Sequence, residues 1–250
     1  MRRPIVAANW KMHKTLSEAR VYLERLIELV GADLEVEVVV LPSFTALSAA
    51  GEVLRGAPIA LGAQNAHPEK SGAFTGEVSV SQLADLGVRY VLCGHSERRQ
   101  LFGEHDTLVG RKVQAVADHG MMPILCVGET LEERTAGRVW EVVERQLDLG
   151  LASVGNDPDG LVIAYEPVWA IGTGVAAQPA DAQEMAARIR GWLRDRFGSA
   201  GEGICIQYGG SVKPDNAGEF LSLPDLDGAL VGGASLDPDA FWAIVQSARR

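Results

Sequence analysis

The sequence is poor in cysteine and has no long apolar run. Its 250 residues include three cysteines, Cys93, Cys126 and Cys205, which lie far apart and form no C-x-x-C pair. Because disulfide frameworks and thiolate metal sites use patterned sets of cysteines, we expect three buried, reduced thiols. No stretch of 18 apolar residues occurs, and the first residues lack the apolar segment of a signal peptide. We therefore expect no membrane span and a cytoplasmic location.

The sequence also lacks an excess of positive charge. Lysine and arginine number 23 against 33 aspartates and glutamates, which gives a formal net charge of −10. Nucleic-acid binding depends on basic clusters that neutralise phosphates, so we do not expect a nucleic-acid partner. The same net charge repels an anionic small molecule at long range. Any phosphate site must therefore be made by local groups.

Two patterns alternate along the chain. Short, almost wholly apolar runs are typical of strands that are buried on both faces. Amphipathic stretches, several with proline in the first turn or glycine just past the end, predict the helices that follow them. The predicted strands are residues 5–9, 36–41, 58–63, 90–93, 122–127, 161–165, 204–208 and 228–231. The predicted helices are residues 17–30, 44–55, 78–86, 95–101, 106–119, 131–154, 179–197, 214–221 and 238–247.

Eight strands, each followed by a helix, allow either a closed (β/α)8 barrel or an open doubly wound sheet. An open sheet usually has more polar edge strands, and none of the eight runs has that character. No linker or change in composition divides the chain. The pattern favours an α/β fold with a single (β/α)8 TIM barrel domain that spans residues 1–250.

Polar residues gather where the predicted strands end, which is where barrel enzymes carry their chemistry. Taken singly, each has an ordinary explanation: a solvated lysine, a structural histidine, an ion-paired glutamate or a glycine in a turn. The strand-end residues are Asn9 and Lys11, Gln64 and Asn65, His95 and Glu97, Glu166, Gly209 to Ser211, and Gly232 to Ser235.

Taken together, these residues indicate proton abstraction next to a carbonyl group. Glu166 ends a dry strand, where desolvation strengthens a carboxylate as a base. His95 lies where a helix begins, and the positive end of that helix disfavours an imidazolium, so a neutral ring can polarise a carbonyl. The Lys11 ammonium can stabilise the enolate oxygen, and the glycine pairs free backbone N–H groups to hold a phosphate.

The glycine-rich stretch from Gly172 to Ala177 fits the G-x-G-x-x-[GA] pattern of dinucleotide-binding proteins. That pattern requires its first glycine directly after a strand, and here five residues beginning with Pro167 intervene. We interpret the stretch as part of a hinged lid instead. No metal-ligand spacing occurs at the strand ends, and no G-x-S-x-G motif is present.

Several stretches carry a resemblance that covers the whole chain. They are Ala8-Asn-Trp-Lys-Met12, Gly62-Ala-Gln-Asn65, Thr75-Gly-Glu77, Cys93-Gly-His-Ser-Glu-Arg-Arg99, Pro123-Ile-Leu-Cys-Val-Gly-Glu129, Ala164-Tyr-Glu-Pro-Val-Trp-Ala-Ile-Gly-Thr-Gly174, Tyr208-Gly-Gly-Ser-Val212 and Asp227-Gly-Ala-Leu-Val-Gly-Gly-Ala-Ser-Leu236. In sequence and order they resemble the triosephosphate isomerase family. That family is a well-known case of a neutral catalytic histidine and of loop closure.

The resemblance implies a cofactor-free and metal-free isomerase of glycolysis and gluconeogenesis. Its substrate would be a small phosphorylated triose, with dihydroxyacetone phosphate and D-glyceraldehyde 3-phosphate interconverted through an enediol. The implied catalytic residues are Lys11, His95 and Glu166, assisted by Asn9 and Glu97. The implied substrate and phosphate contacts are Asn9, Lys11, Gly172, Ser211, Gly232 and Gly233. The implied lid runs from Pro167 to Val175 and includes Trp169 and Thr173, with Tyr208 and Ser211 catching its closed form.

The resemblance also implies a homodimer. The loop from Gln64 to Ser79 would reach into the partner and bring Thr75 towards its site, while Arg190 and Asp227 would form a structural ion pair. Two alternatives stay open. One is a different phosphate-binding barrel enzyme, such as a lyase or synthase, which should lack the combination of Glu166 and a lid. The other is an inactive barrel kept as a scaffold, which should have lost Lys11, His95 or Glu166.

Overall fold

Eight parallel strands pair in chain order and close into a barrel in the computed structural model of the chain. The structure describes residues 2–31, 35–156, 158–171 and 177–249. Strand β1 pairs with β2 on one side and with β8 on the other, so the predicted closed barrel is confirmed and the open sheet is excluded. The strands are β1 (Ile5–Asn9), β2 (Glu37–Leu41), β3 (Ile59–Ala63), β4 (Tyr90–Cys93), β5 (Met122–Val127), β6 (Val162–Tyr165), β7 (Cys205–Tyr208) and β8 (Gly228–Val231).

Helices connect successive strands and cover the outside of the barrel. Capping side chains begin several of them: Ser79, Thr130 and Asp237 each accept a backbone N–H at the start of a helix. The α-helices that the structure describes are α1 (Leu16–Val30), α2 (Phe44–Val53), α3 (Val80–Asp85), α4 (Ser96–Phe102), α5 (Asp106–Asp118), α6 (Leu131–Thr135), α7 (Val139–Gly150), α8 (Pro179–Phe197), α9 (Ala217–Leu221) and α10 (Pro238–Ser247). None of the helices in these ranges is long and apolar enough to cross a membrane.

Two predicted helices were wrong in extent. Residues 131–154 form two helices rather than one, because Gly137 adopts a left-handed φ of 70° between α6 and α7. The predicted helix 214–221 begins only at Ala217. There the Asn216 side chain accepts from the Lys213 N–H at 2.7 Å and donates to the Ser211 carbonyl at 3.1 Å, which holds a turn in place of helix.

Alternate residues along each strand divide the buried side chains into two sets, because successive strand residues point to opposite faces. A larger set packs between strands and helices and includes Val6, Val38 and Ile163. A separate set comes only from strands and fills the inside of the barrel. It consists of Ile5, Ala7, Val39, Leu41, Ala60, Tyr90, Leu92, Ile124, Cys126, Val162, Ala164, Cys205 and Leu230. The three cysteines are free and buried, as the sequence predicted.

A buried ion pair joins α8 to the start of β8. Asp227 lies 2.7 Å from Arg190 Nη2 and 2.6 Å from Arg2 Nε, and it also accepts the Ile206 N–H at 3.1 Å. The Arg190 and Asp227 side chains are 3% and 0% exposed. The pairing predicted for Arg190 and Asp227 is therefore present, and it ties the outer layer to the strands that close the barrel.

Removal of one partner from this ion pair should destabilise the folded protein. We predict that Arg190→Met lowers the free energy of unfolding by about 3 kcal/mol, because a buried carboxylate then loses its main counter-charge. Urea denaturation followed by circular dichroism measures the loss. The control is Arg194→Met on the same helix, whose half-exposed partner Glu202 should make its cost less than about 1 kcal/mol. Equal losses in the two variants would contradict a structural role specific to Arg190.

Candidate functional site

One pocket at the carboxyl ends of the strands collects most of the residues that the sequence singled out. Its volume is about 650 Å³, and Leu230 from the barrel interior lies at its base. Asn9, Lys11, His95, Glu166, Ser211, Gly232 and Gly233 all line it. Glu97 contacts Lys11 without lining the pocket, and Gly172 and Thr173 lie outside the residues that the structure describes.

The loop after β1 holds Lys11 from several sides. Its backbone N–H donates to Asn9 Oδ1 at 3.0 Å, and its carbonyl accepts Gln64 Nε2 at 2.9 Å. Lys11 has a left-handed φ of 54°, a conformation that a non-glycine residue keeps only when its surroundings impose it. Its ammonium lies 2.6 Å from Glu97 Oε1. Gln64, which the sequence placed at a strand end without a role, therefore braces this lysine.

His95 and Glu166 form a buried, directly bonded pair. His95 Nε2 lies 2.9 Å from Glu166 Oε1, and the Ser96 N–H donates to Glu166 Oε2 at 2.9 Å. His95 caps α4, and its Nδ1 accepts the Glu97 N–H at 3.3 Å. Because Nδ1 accepts a hydrogen bond, it carries a lone pair and no proton. In the neutral ring the proton therefore lies on Nε2, towards Glu166.

The two groups shift each other's pKa values. Burial lowers the pKa of His95, but attraction and hydrogen bonding from Glu166 outweigh it, and the pKa is raised above its ordinary value. Burial raises the pKa of Glu166, but His95, the Ser96 N–H and Lys11 outweigh it, and the pKa is lowered. Both directions are opposite to those that the helix N-terminus and desolvation alone predict. The sequence did not reveal that the two groups bond to each other.

Glycines let the backbone approach the reacting groups closely. A Cβ on Gly209 would lie 2.8 Å from Glu166 Cγ, and one on Gly232 would lie 3.5 Å from Lys11 Cε. Behind Gly232, Ser235 is fully buried and donates to the Gly232 carbonyl through both its N–H, at 2.8 Å, and its Oγ, at 2.7 Å. The backbone on this side of the pocket is therefore held in one conformation.

Glu129 is a residue whose contacts the sequence reasoning missed. It is fully buried, and it accepts Trp169 Nε1 at 2.7 Å and the Tyr165 hydroxyl at 3.1 Å. Its carbonyl accepts the Val168 N–H at 3.1 Å. Burial raises the pKa of Glu129, and these donors and Arg134 oppose that rise. Glu129 thus anchors the residues that follow Glu166, although nothing in the local pattern after β5 signals this role.

A closed parallel barrel with a polar pocket at the carboxyl ends of its strands defines a (β/α)8-barrel enzyme. The family model described as triosephosphate isomerase matches residues 4–248. Proteins named triosephosphate isomerase from Symbiobacterium thermophilum and Moorella thermoacetica are each 55% identical to the chain. These matches cover 99% and 98% of this chain, respectively, and 98% of each relative. The crystal structure of triosephosphate isomerase from Bartonella henselae is 41% identical, with a TM-score of 0.91 over 99% of this chain and 100% of that one. The chain belongs to the triosephosphate isomerase family.

The buried pair gives stability a defined pH dependence. Because the pKa of Glu166 is lowered from 4.5, its contribution is present above that value and is lost as the pH falls through its folded pKa. Because the pKa of His95 is raised from 6.5, its contribution is present below that value and is lost as the pH rises through its folded pKa. We predict that Glu166→Gln differs most from the wild type in unfolding free energy at about pH 5 to 6.

Urea denaturation of both proteins across a pH series tests this prediction. The exposed substitution Glu184→Gln on α8 serves as the control and should show no such maximum. A stability difference that is constant from acid to neutral pH would mean that the pair does not titrate as described.

Proposed function

We propose that this chain interconverts dihydroxyacetone phosphate and D-glyceraldehyde 3-phosphate by proton transfer through an enediol, without a cofactor. The observation that carries the proposal is the convergence of Glu166, His95 and Lys11 on one glycine-rich pocket. A carboxylate, an imidazole and an ammonium are the groups needed to move a proton next to a carbonyl and to stabilise the enolate oxygen. This isomerase activity belongs to glycolysis and gluconeogenesis.

Glu166 is the proposed base, and the pair with His95 is its resting arrangement. Both carboxylate oxygens are occupied, one by His95 Nε2 and one by the Ser96 N–H. To reach a substrate carbon, the carboxylate must leave these partners. Once these hydrogen bonds are lost, burial raises the pKa of Glu166 and makes the carboxylate a stronger base. The same movement frees His95 Nε2–H to donate to a substrate oxygen.

Lys11 supplies the local positive charge. The chain carries a net charge of −10, so an anionic substrate must be attracted inside the pocket rather than by the surface as a whole. The ammonium stabilises the developing enolate and helps hold the phosphate, while Asn9 fixes the Lys11 backbone and Glu97 fixes its Nζ. We assign the phosphate to N–H groups of Gly172, Ser211, Gly232 and Gly233.

The lid is proposed to run from Pro167 to Val175 and to exclude water from the enediol. The contacts of Val168 and Trp169 with Glu129 hold its first residues in the described arrangement. Thr173 belongs to the part of the lid that lies outside the described residues. Tyr208 and Ser211 border the same end of the barrel and are the proposed partners of the closed lid.

We further propose that residues 1–250 form a single barrel domain that works as a homodimer in the cytoplasm. Apolar side chains stay exposed just after Lys11 in the sequence, at the end of α4, and on the loop from Gln64 to Ser79, which also carries the exposed Thr75. Their exposed fractions are 94% for Met12, 43% for Phe74, 74% for Leu101 and 66% for Phe102. A second copy of the chain would cover these side chains.

Substitution of the base tests the reaction. We predict that Glu166→Gln lowers kcat for D-glyceraldehyde 3-phosphate by about a thousandfold, because the amide cannot take the proton. The assay follows formation of dihydroxyacetone phosphate by the purified protein with no added metal. The control Glu184→Gln should keep wild-type turnover. Near-native activity of Glu166→Gln would show that another group is the base, and an inactive wild type would reject the proposed reaction.

The mass of the protein in solution tests the proposed homodimer. We predict that analytical ultracentrifugation gives twice the 26.7 kDa of one chain, and that Phe74→Glu shifts the protein towards monomer by placing a charge in the interface. Leu131→Glu is the matched control, because Leu131 is 62% exposed but lies on α6 rather than on the loop. A wild type that sediments as a single chain would reject the homodimer.

A further inference from the structure

Lys14 has an unusual backbone and an ordered side chain. Its φ is 71°, in the left-handed region that favours glycine, and Lys11 three residues earlier has a φ of 54°. The intrinsic preference of lysine does not favour this conformation, so contacts elsewhere must hold it. The side chain is half-buried rather than spread into solvent.

The Lys14 ammonium is bound by two aromatic rings and a carbonyl. Its Nζ lies 4.5 Å from the centroid of the Tyr22 ring and 5.4 Å from that of Trp10. Both rings are buried, and they pack edge to face at 4.8 Å. Nζ also donates to the Leu236 carbonyl at 2.8 Å. A cation fits this arrangement because the faces of aromatic rings and a carbonyl oxygen all present negative potential.

The Leu236 carbonyl belongs to the turn that begins at Gly233, one of the residues proposed to hold phosphate. Leu236 ends the 3-10 turn Gly233–Leu236, which directly follows Gly232, and Ser235 fastens that turn to the Gly232 carbonyl. The hydrogen bond from Lys14 to Leu236 therefore joins the loop after β1 to the loop after β8. Lys11 and Gly232 also line the same pocket, where a Cβ built on Gly232 would lie 3.5 Å from Lys11 Cε.

We propose that Lys14 is a positioning residue that sets the spacing between Lys11 and the phosphate-binding backbone of Gly232 and Gly233. The inference rests on the proposed function, because it assigns phosphate to that backbone. Lys14 does not line the pocket and acts through Leu236. Lys11 keeps its own contacts with Asn9, Gln64 and Glu97, so loss of the Lys14 ammonium should displace the glycine segment rather than Lys11.

Three substitutions separate the ammonium from the backbone conformation. Lys14→Gly accepts the left-handed φ but removes the side chain. Lys14→Met keeps an apolar stem against the rings but removes the charge. Lys14→Arg keeps a cation that stacks on aromatic rings and donates to a carbonyl. Arg20→Met on α1, which also removes one exposed positive charge near this loop, is the control.

Steady-state kinetics with D-glyceraldehyde 3-phosphate, inhibition by inorganic phosphate, and thermal unfolding supply the readouts. We expect Lys14→Gly and Lys14→Met each to raise KM and the phosphate Ki by about fivefold while kcat changes by less than about twofold, since ground-state binding is what is lost. Lys14→Arg should recover most of the affinity, and Arg20→Met should match the wild type. The Gly and Met variants should differ in Tm, because only glycine relieves the backbone strain, yet share the same KM.

Unchanged KM and Ki in Lys14→Met would overturn the inference. So would a KM that follows Tm across the variants, because that result indicates a purely structural role. An active wild type with unaffected variants rejects only the role of Lys14. A wild type that neither turns over the triose phosphate nor is inhibited by phosphate rejects the proposed function, and the inference falls with it.

Discussion

Successive side chains of a strand point to opposite faces of the barrel wall, and the pocket depends on this alternation. Ile5 and Ala7 point into the barrel, so Asn9 reaches its mouth at the next inward position. Lys11 follows in the loop after β1, where its left-handed backbone brings the ammonium into the same pocket. Val162 and Ala164 place Glu166 by the same alternation, and Leu230 places Gly232. A shift of one residue in any of these strands would turn its functional side chain towards the helices. Closure of the barrel then brings strands that are distant in sequence around one pocket.

That geometry also explains why glycine stands at the inward position that follows β7. Space at the mouth is limited, because inward side chains from eight strands converge there. Gly209 continues the inward positions of β7, and a Cβ there would press on Glu166. Gly232 continues those of β8, where a Cβ would make only an ordinary contact with Lys11 Cε, at 3.5 Å. The Gly209 N–H donates to the Tyr165 carbonyl at 2.7 Å, so glycine at this position makes room for the Glu166 side chain rather than offering a donor to an anion.

Much of the fold was accessible from sequence because it depends on local pattern. All eight strands were located to within one residue at their ends, and the inward polar residues followed from the strand ends. The helix 131–154 was predicted too long because a glycine inside an amphipathic stretch does not reveal its φ, which at Gly137 is left-handed. The turn at Lys213 to Asn216 depends on one side-chain hydrogen bond, which composition cannot predict.

The parts of the site that sequence could not reveal are contacts between distant segments. The bond between His95 and Glu166 joins β4 to β6, and it reverses the pKa directions that each residue suggests alone. Glu129 follows β5 yet holds Trp169, which lies 40 residues further along the chain. Lys14 carries no signal in the sequence, because the identity of a lysine indicates neither a left-handed backbone nor a pair of rings beneath its ammonium. Such contacts become visible only when the barrel has closed.

In the proposed mechanism, release of Glu166 from His95 is coupled to the contacts that Glu129 makes with the start of the lid. Glu166 is bound by His95 and Ser96 on one side, and Val168, two residues later, is bound by the Glu129 carbonyl on the other. The Glu166 N–H is also fixed to the Val127 carbonyl at 2.8 Å, so the backbone before the carboxylate is part of the sheet. The carboxylate can therefore leave His95 by side-chain rotation, but the residues after it cannot move without breaking their contacts with Glu129. A substrate that draws the lid inward must offset those contacts, and this couples water exclusion to release of the base from its resting partner.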